Sequence, residues 1–243
     1  MVKILLKTAA LVVCLSSSAW AFRLSPMVVH FTPGKSSTQV LTLENPGSEK
    51  VPVQIEVFRR DENAQGEEVR KKTDEFNVYP EQVVLLPNEK RNVRVTWTGQ
   101  IDSKEKAYRI IASQLPVEFR DRNSQPKKES VNLNFLLQYV ASAYVTPAGA
   151  VPKITVKTLK ALGNGKVSVT VANEGTAHQV LRVKSLKIFG GEKLLTEIAS
   201  PKELESVNLL TGKEKTLTVA ISAKEISGKS ALRGELVLAE SGD

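Results

Sequence analysis

The stretch VNLNFLLQYV, Val131 to Val140, decides how the chain is read. Side chains alternate faces along an extended strand, so the odd positions Val131, Leu133, Phe135, Leu137 and Tyr139 form one unbroken apolar column. The even positions Asn132, Asn134, Leu136, Gln138 and Val140 begin polar and turn apolar midway. A plain sandwich strand with its odd side in its own core would show the same alternation. The surroundings point further. The pattern runs on to about Tyr144, follows the basic segment VEFRDRNSQPKKES and leads straight into a break rich in proline. A strand that much longer than the usual length of about five or six residues can be an edge that offers its column to another protein.

Upstream, period-two patterning recurs at short intervals with turn residues between the runs, and no long stretch has helical spacing. Strands are expected over Leu24 to Phe31, Ser37 to Asn45, Val51 to Arg60, Gln82 to Pro87, Arg91 to Trp97 and Ala107 to Pro116. With the long strand they make seven, the number of an immunoglobulin-like sandwich. The segment VTPAGAVP, Val145 to Pro152, interrupts the pattern and marks a domain boundary. Beyond it the alternation restarts in KITVKTLKAL, KVSVTVANEG, HQVLRVKSLKIFGGEKLL, KTLTVAIS and ELVLAE, with hairpin turns at GNG and FGGEK. The fold class is therefore all-β: two immunoglobulin-like sandwiches joined by a short linker. Residues 22–146 form the first and 147–243 the second.

The first 21 residues have a different character. Lys3 and Lys7 precede the apolar run TAALVVCL, and Ala19 and Ala21 supply a small-x-small cleavage site, which together predict an exported chain starting at Phe22. A lipoprotein signal at Cys14 is the rival, disfavoured by the branched Val13 before it. Cleavage would remove the chain's one cysteine. That excludes disulfides, a zinc–thiolate site and a cysteine nucleophile from the exported part. No later window is apolar enough for a membrane-spanning helix, so no stable membrane insertion is expected.

The net charge of +8 could suggest nucleic acid. In FRRDENAQGEEVRKK and GKEKTLTV, however, acids interleave with the bases as on a solvated face. Aromatic residues, 5% of the chain, show no spaced pairs for base stacking. Catalysis has little to work with. His30 and His178 are the only histidines and could meet only across the domain interface. Asp61, Glu62, Glu67 and Glu68 read as a solvated hairpin tip, and no nucleotide, hydrolase or metal motif occurs. No enzyme activity, metal or cofactor is expected.

The order of features along the chain resembles the PapD-like periplasmic chaperones of pilus and fimbrial assembly. LPNEKRNVRVTW, with Arg94 in a V-R-V frame, is similar to a proline-turn-strand segment of that family. AYRIIASQLP resembles the strand that ends in an apolar-proline pair, here Leu115 and Pro116. YVTP, with Pro147, resembles the end of the long G strand, and VANEGTAHQVL the start of the second domain's asparagine-glycine segment. The resemblance implies a periplasmic chaperone that binds incompletely folded pilus or fimbrial subunits by donor-strand complementation, a mode of strand addition, and that meets an outer-membrane usher. It puts the groove-filling positions on Leu133, Phe135 and Leu137, with Val131 and Tyr139 extending them. The alternative is an exported structural or adhesive sandwich with no client-folding role.

One part of the pattern departs. The two basic positions that hold a subunit's C-terminal carboxylate in this family fall on Val28 and Ser142, and an arginine expected before the G-strand proline is Thr146. Arg23 and Arg109 are the candidates for an alternative contact with that carboxylate. Glu105 corresponds to the family's interdomain acid.

Overall fold

The computed structural model describes residues 22–63, 65–116, 136–221 and 232–239. The expected signal peptide and the donor positions Val131, Leu133 and Phe135 lie outside these residues. In the first half of the chain the alternation becomes β1 (Arg23–Ser25), β2 (Val28–Phe31), β3 (Thr38–Glu44), β4 (Val51–Glu62), β5 (Glu68–Lys72), β6 (Phe76–Tyr79), β7 (Gln82–Leu85), β8 (Lys90–Trp97), β9 (Lys106–Gln114) and β10 (Gln138–Val145). One sheet has the order β1-β3-β8-β6; the other runs β2-β10-β9-β4-β5, with β7 also paired to β4. Leu41, Leu43, Val93 and Val95 from the first sheet meet Val53, Ile55, Ile110, Ala112, Ala141 and Ala143 from the second. Each larger side chain so buried contributes about 1.5–3 kcal/mol.

Two expectations are corrected. Leu24 to Phe31 is not one strand: β1 pairs with β3 in one sheet, and β2 pairs with β10 in the other. Pro26 has no N–H to extend the first ladder, and the chain changes sheets there. The acidic hairpin also differs from a solvated tip. Asp61 and Glu62 end β4, Glu68 opens β5, and Glu62 is buried.

The second half comprises β11 (Ile154–Gly163), β12 (Lys166–Asn173), β13 (Gln179–Val180), β14 (Val183–Gly190), β15 (Lys193–Ala199), a 3-10 turn at Lys202–Leu204, β16 (Asn208–Leu209), β17 (Glu214–Ala220) and β18 (Leu232–Leu238). Its sheets are β11-β12-β17, β13-β16 and β15-β14-β18. Asn164 and Gly165, both at positive φ, close the β11–β12 hairpin as a tight two-residue turn demands. Val167, Val169 and Val171 are fully buried in a core of their own with Leu186, Ile188 and Val219.

A buried asparagine follows the same plan in each half. Asn45, just after β3, donates to the carbonyls of Glu49 and Leu86 and accepts from the Gly47 N–H. Asn173, ending β12, donates to Ala177 and Leu209 and accepts from Lys153 and Gly175. Through Asn173 the linker is fastened to the second core. Gly175 lies so close under that linker that a Cβ there would come 2.4 Å from the Lys153 nitrogen and the Val151 oxygen. Gly175→Ala should therefore destabilise the chain by at least about 1–3 kcal/mol, the usual cost of overpacking, read as a lowered thermal midpoint.

Candidate partner-binding site

β10 is the element on which the sequence places the site. Its odd residues Ala141, Ala143 and Val145 are fully buried in the first core. Tyr139 and Leu137 continue that column, half-buried and packed against the same core, and the Tyr139 ring meets Phe22 edge-on at 4.9 Å. On the even side Leu136 and Gln138 are exposed. The column thus passes outward from the first core without changing face. Among the described residues regular pairing of β10 begins at Gln138, and the first part of the expected long strand, Val131 to Phe135, lies outside them.

The two edges of β10 are unequal. β9 pairs with it along the whole of Gln138 to Val145, whereas β2 pairs with it, parallel, only over Ser142 to Val145. Between Gln138 and Ala141 no strand among the described residues covers the second edge. The Ser142 N–H donates to the Met27 carbonyl on that side. Alternate amides of a strand point the same way, so the N–H groups of Gln138 and Val140 face the uncovered edge.

At the point where β2 takes over, Val28 and Ser142 lie side by side. The adjacent position across the sheet is Arg109, whose Nη1 donates to the Ser142 hydroxyl. The rest of its guanidinium grips Glu68: Nε bonds both carboxylate oxygens at 3.1 Å, and Nη2 bonds Oε2. Glu68 also accepts from Arg70 Nε at 2.7 Å and pairs with Arg60 Nε at 2.9 Å. Burial pushes the Glu68 carboxyl up, but Arg109, Arg70 and Arg60 outweigh it and bring it down to about 2. Arg23 is elsewhere, exposed on β1 opposite Glu44, so the structure does not bring the two candidate arginines together.

Where the halves of the chain meet, Tyr144, Ala107 and Leu210 form a small buried cluster. The Tyr144 ring stacks on His178 at 3.6 Å and on His30 at 5.5 Å, and the two imidazole centroids are 6.0 Å apart. The histidines do meet across the interface. Glu105 completes the contact: its carboxylate accepts from the His178 main chain at 2.9 Å and from the Thr146 hydroxyl at 2.7 Å, and lies 2.7 Å from His178 Nδ1. Burial raises the Glu105 carboxyl, yet the hydrogen bonds from His178 and Thr146 leave it below its ordinary value. A second contact is ionic, with Lys213 on Asp61 and Lys215 on Glu62. Sequence reasoning missed the Arg60–Arg70–Glu68 cluster, because only the curl of the β4–β5 hairpin brings these side chains to Arg109. No cluster of three or more metal-ligating side chains is found among the described residues, nor a helix long and apolar enough to cross a membrane.

Comparison with known proteins supplies a family. The family model described as pili and flagellar-assembly chaperone, PapD N-terminal domain, matches residues 21–150. No curated protein matches the sequence. Among solved structures, the chain is similar to the chaperone–tip adhesion subunit pre-assembly complex CsuC–CsuE of archaic chaperone-usher Csu pili from Acinetobacter baumannii. The identity is 18%, the TM-score 0.57, and the match covers 90% of this chain and 97% of that one. The chaperone DraB of E. coli matches at 17% identity and TM-score 0.53, over 89% of this chain and 98% of that one. The SafA pilin–SafB chaperone complex of Salmonella enterica gives 16% identity and TM-score 0.53, over 91% and 99%. At such identities the structural likeness speaks for the two-sandwich fold.

Proposed function

The chain belongs to the family of pili and flagellar-assembly chaperones, and from that premise we propose that it binds secreted pilus or fimbrial-type subunits in the periplasm by lending them the strand that contains Val131, Leu133, Phe135, Leu137 and Tyr139. The observation that carries this reading is the uncovered edge of β10 beside an apolar column continuous with the core. A subunit lacking one strand has a groove where such a column fits, and its own backbone can pair with the free N–H groups of Gln138 and Val140. Each groove-filling side chain contributes about 1.5–3 kcal/mol. Five of them are of the same order as the cost of association, about 4–15 kcal/mol. The complex is then stable yet can be exchanged, as handing the subunit to an outer-membrane usher requires, without ATP or cofactor.

The subunit strand laid on this edge must stop where β2 begins, at Ser142. Its terminal carboxylate arrives beside Arg109, which takes the place of the cationic residues absent from positions 28 and 142. The edge amides test the reading. In the free chain Gln138 and Val140 should exchange their amide hydrogens rapidly, and binding of a strand-deficient subunit should slow both at least tenfold. Exchange that is already slow in the free chain, or is unchanged in the complex, would sink the proposal.

A further inference from the structure

The arginine cluster around Glu68 carries more than a contact for Arg109. Three guanidiniums share one carboxylate, so the cluster holds two positive charges in excess. Arg60 is the telling member. Its side chain is only 7% exposed, and its Nη1 and its Nε, the latter 2.9 Å from Glu68 Oε2, are both shut off from solvent without a hydrogen bond. A buried guanidinium donor left unpaired is costly, and a set of donors that outnumbers its acceptors is the composition of an anion site. Arginine forks suit carboxylates in particular, because two parallel N–H donors match the two oxygens.

We infer that Arg109, Arg60 and Arg70 form a carboxylate-binding site that Glu68 fills as an internal ligand, and that an arriving chain end displaces Glu68 from Arg109. This rests on the reading of Arg109 as the contact for a subunit's C-terminus. Glu68 presents to Arg109 the same two oxygens that a terminal carboxylate would present, so exchanging one for the other replaces like with like. What decides the exchange is the strand pairing that comes with the chain end and does not come with Glu68. A free carboxylate lacking a strand gains nothing over Glu68 and so does not displace it from Arg109. A strand with a blocked end gains its ladder but not the guanidinium. The β4–β5 hairpin makes displacement feasible, since Glu68 is the first residue of β5, beside the turn, and its side chain is 23% exposed.

An occupied site lowers apparent affinity by the fraction of time it is open. With Glu68 in place for most of that time, Glu68→Gln should raise affinity for a chain end about tenfold. The probe is an acetylated peptide of alternating leucine and threonine, made both as the free acid and as the C-terminal amide, and titrated into the full exported chain. The expected result is a free acid bound about tenfold more tightly by Glu68→Gln than by the natural chain, with the amide bound alike by both. Glu68→Asp, whose shorter arm keeps the charge but slackens the reach to Arg109, should fall between them, and it serves should Glu68→Gln fail to fold. If Arg109→Gln erases the preference for the acid while Glu68→Gln and Glu68→Asp leave it unchanged, Arg109 is the contact and the displacement idea is overturned. If acid and amide bind alike to every form, the assignment of Arg109 falls, and this inference falls with it.

Discussion

Exchanging Phe135 for aspartate should weaken capture of a strand-deficient subunit by more than about a hundredfold. The lost burial of the ring alone contributes about 1.5–3 kcal/mol, and a carboxylate forced into an apolar groove adds a desolvation cost that no partner there offsets. Leu137 provides the comparison. It packs on the chain's own core at the exit of the column, so Leu137→Asp should lower both subunit affinity and the thermal midpoint of the free protein. Phe135→Asp should lower the affinity and leave that midpoint nearly unmoved. Equal subunit binding by Phe135→Asp and the natural chain, measured by co-purification and by titration, would contradict strand donation. It would favour the structural or adhesive reading instead.

The second large effect concerns the contact between the lobes. Glu105 is nearly fully buried and is held by His178 and Thr146. Removing this acceptor leaves the buried donors of His178 and Thr146 unsatisfied, at about 1–3 kcal/mol each. Glu105→Ala should therefore loosen the two sandwiches, seen as a broadened distance distribution between spin labels placed one on each lobe. An unchanged distribution would show that the apolar cluster of Ala107, Tyr144 and Leu210 suffices.

Acid should act in the same direction, in two stages. Burial, then the neighbouring charge of His178, holds His30 below its ordinary value, with Glu105 opposing. The unfolded or separated form therefore takes up its proton first, near about pH 6.5, and the contact weakens as pH falls from there. Glu105 is depressed as well. Its contribution is complete above about pH 4.3 and is lost as pH falls through its lower value in the folded chain. Label distances followed from pH 7.5 to 4 should begin to spread as the pH falls below about 6.5 in the natural chain. His30→Gln should delay that onset.

Much of this was legible in the residues. The clean alternation in β3, β8 and β12 reflects strands with one wet and one dry face, and the Asn164–Gly165 turn and the break read at Val145 to Pro152, which falls between β10 and β11, are local chemistry that short segments display by themselves. β5 was missed because EVRKK is charged at every position but Val69, as an edge strand can be. β6 has four residues, too few to establish a period. The split at Pro26 needed knowledge of which sheet each half joins. The meeting of His30, Tyr144 and His178, and the arginines around Glu68, belong to tertiary geometry, where residues 148 or 41 positions apart become neighbours. No local pattern encodes that. Glu105 could be picked out from the sequence, but its partners could not.

The two ends of the contact between lobes differ in wetness. Glu105 with His178 is dry, whereas the Lys213 and Asp61 side chains are 33% and 48% exposed. Dissolved salt screens exposed charges and reaches enclosed ones poorly. Dissolved salt should therefore loosen the Lys213–Asp61 pair well before it reaches Glu105 and His178, while Lys215 on Glu62, whose side chain is 3% exposed, keeps part of the ionic end fastened.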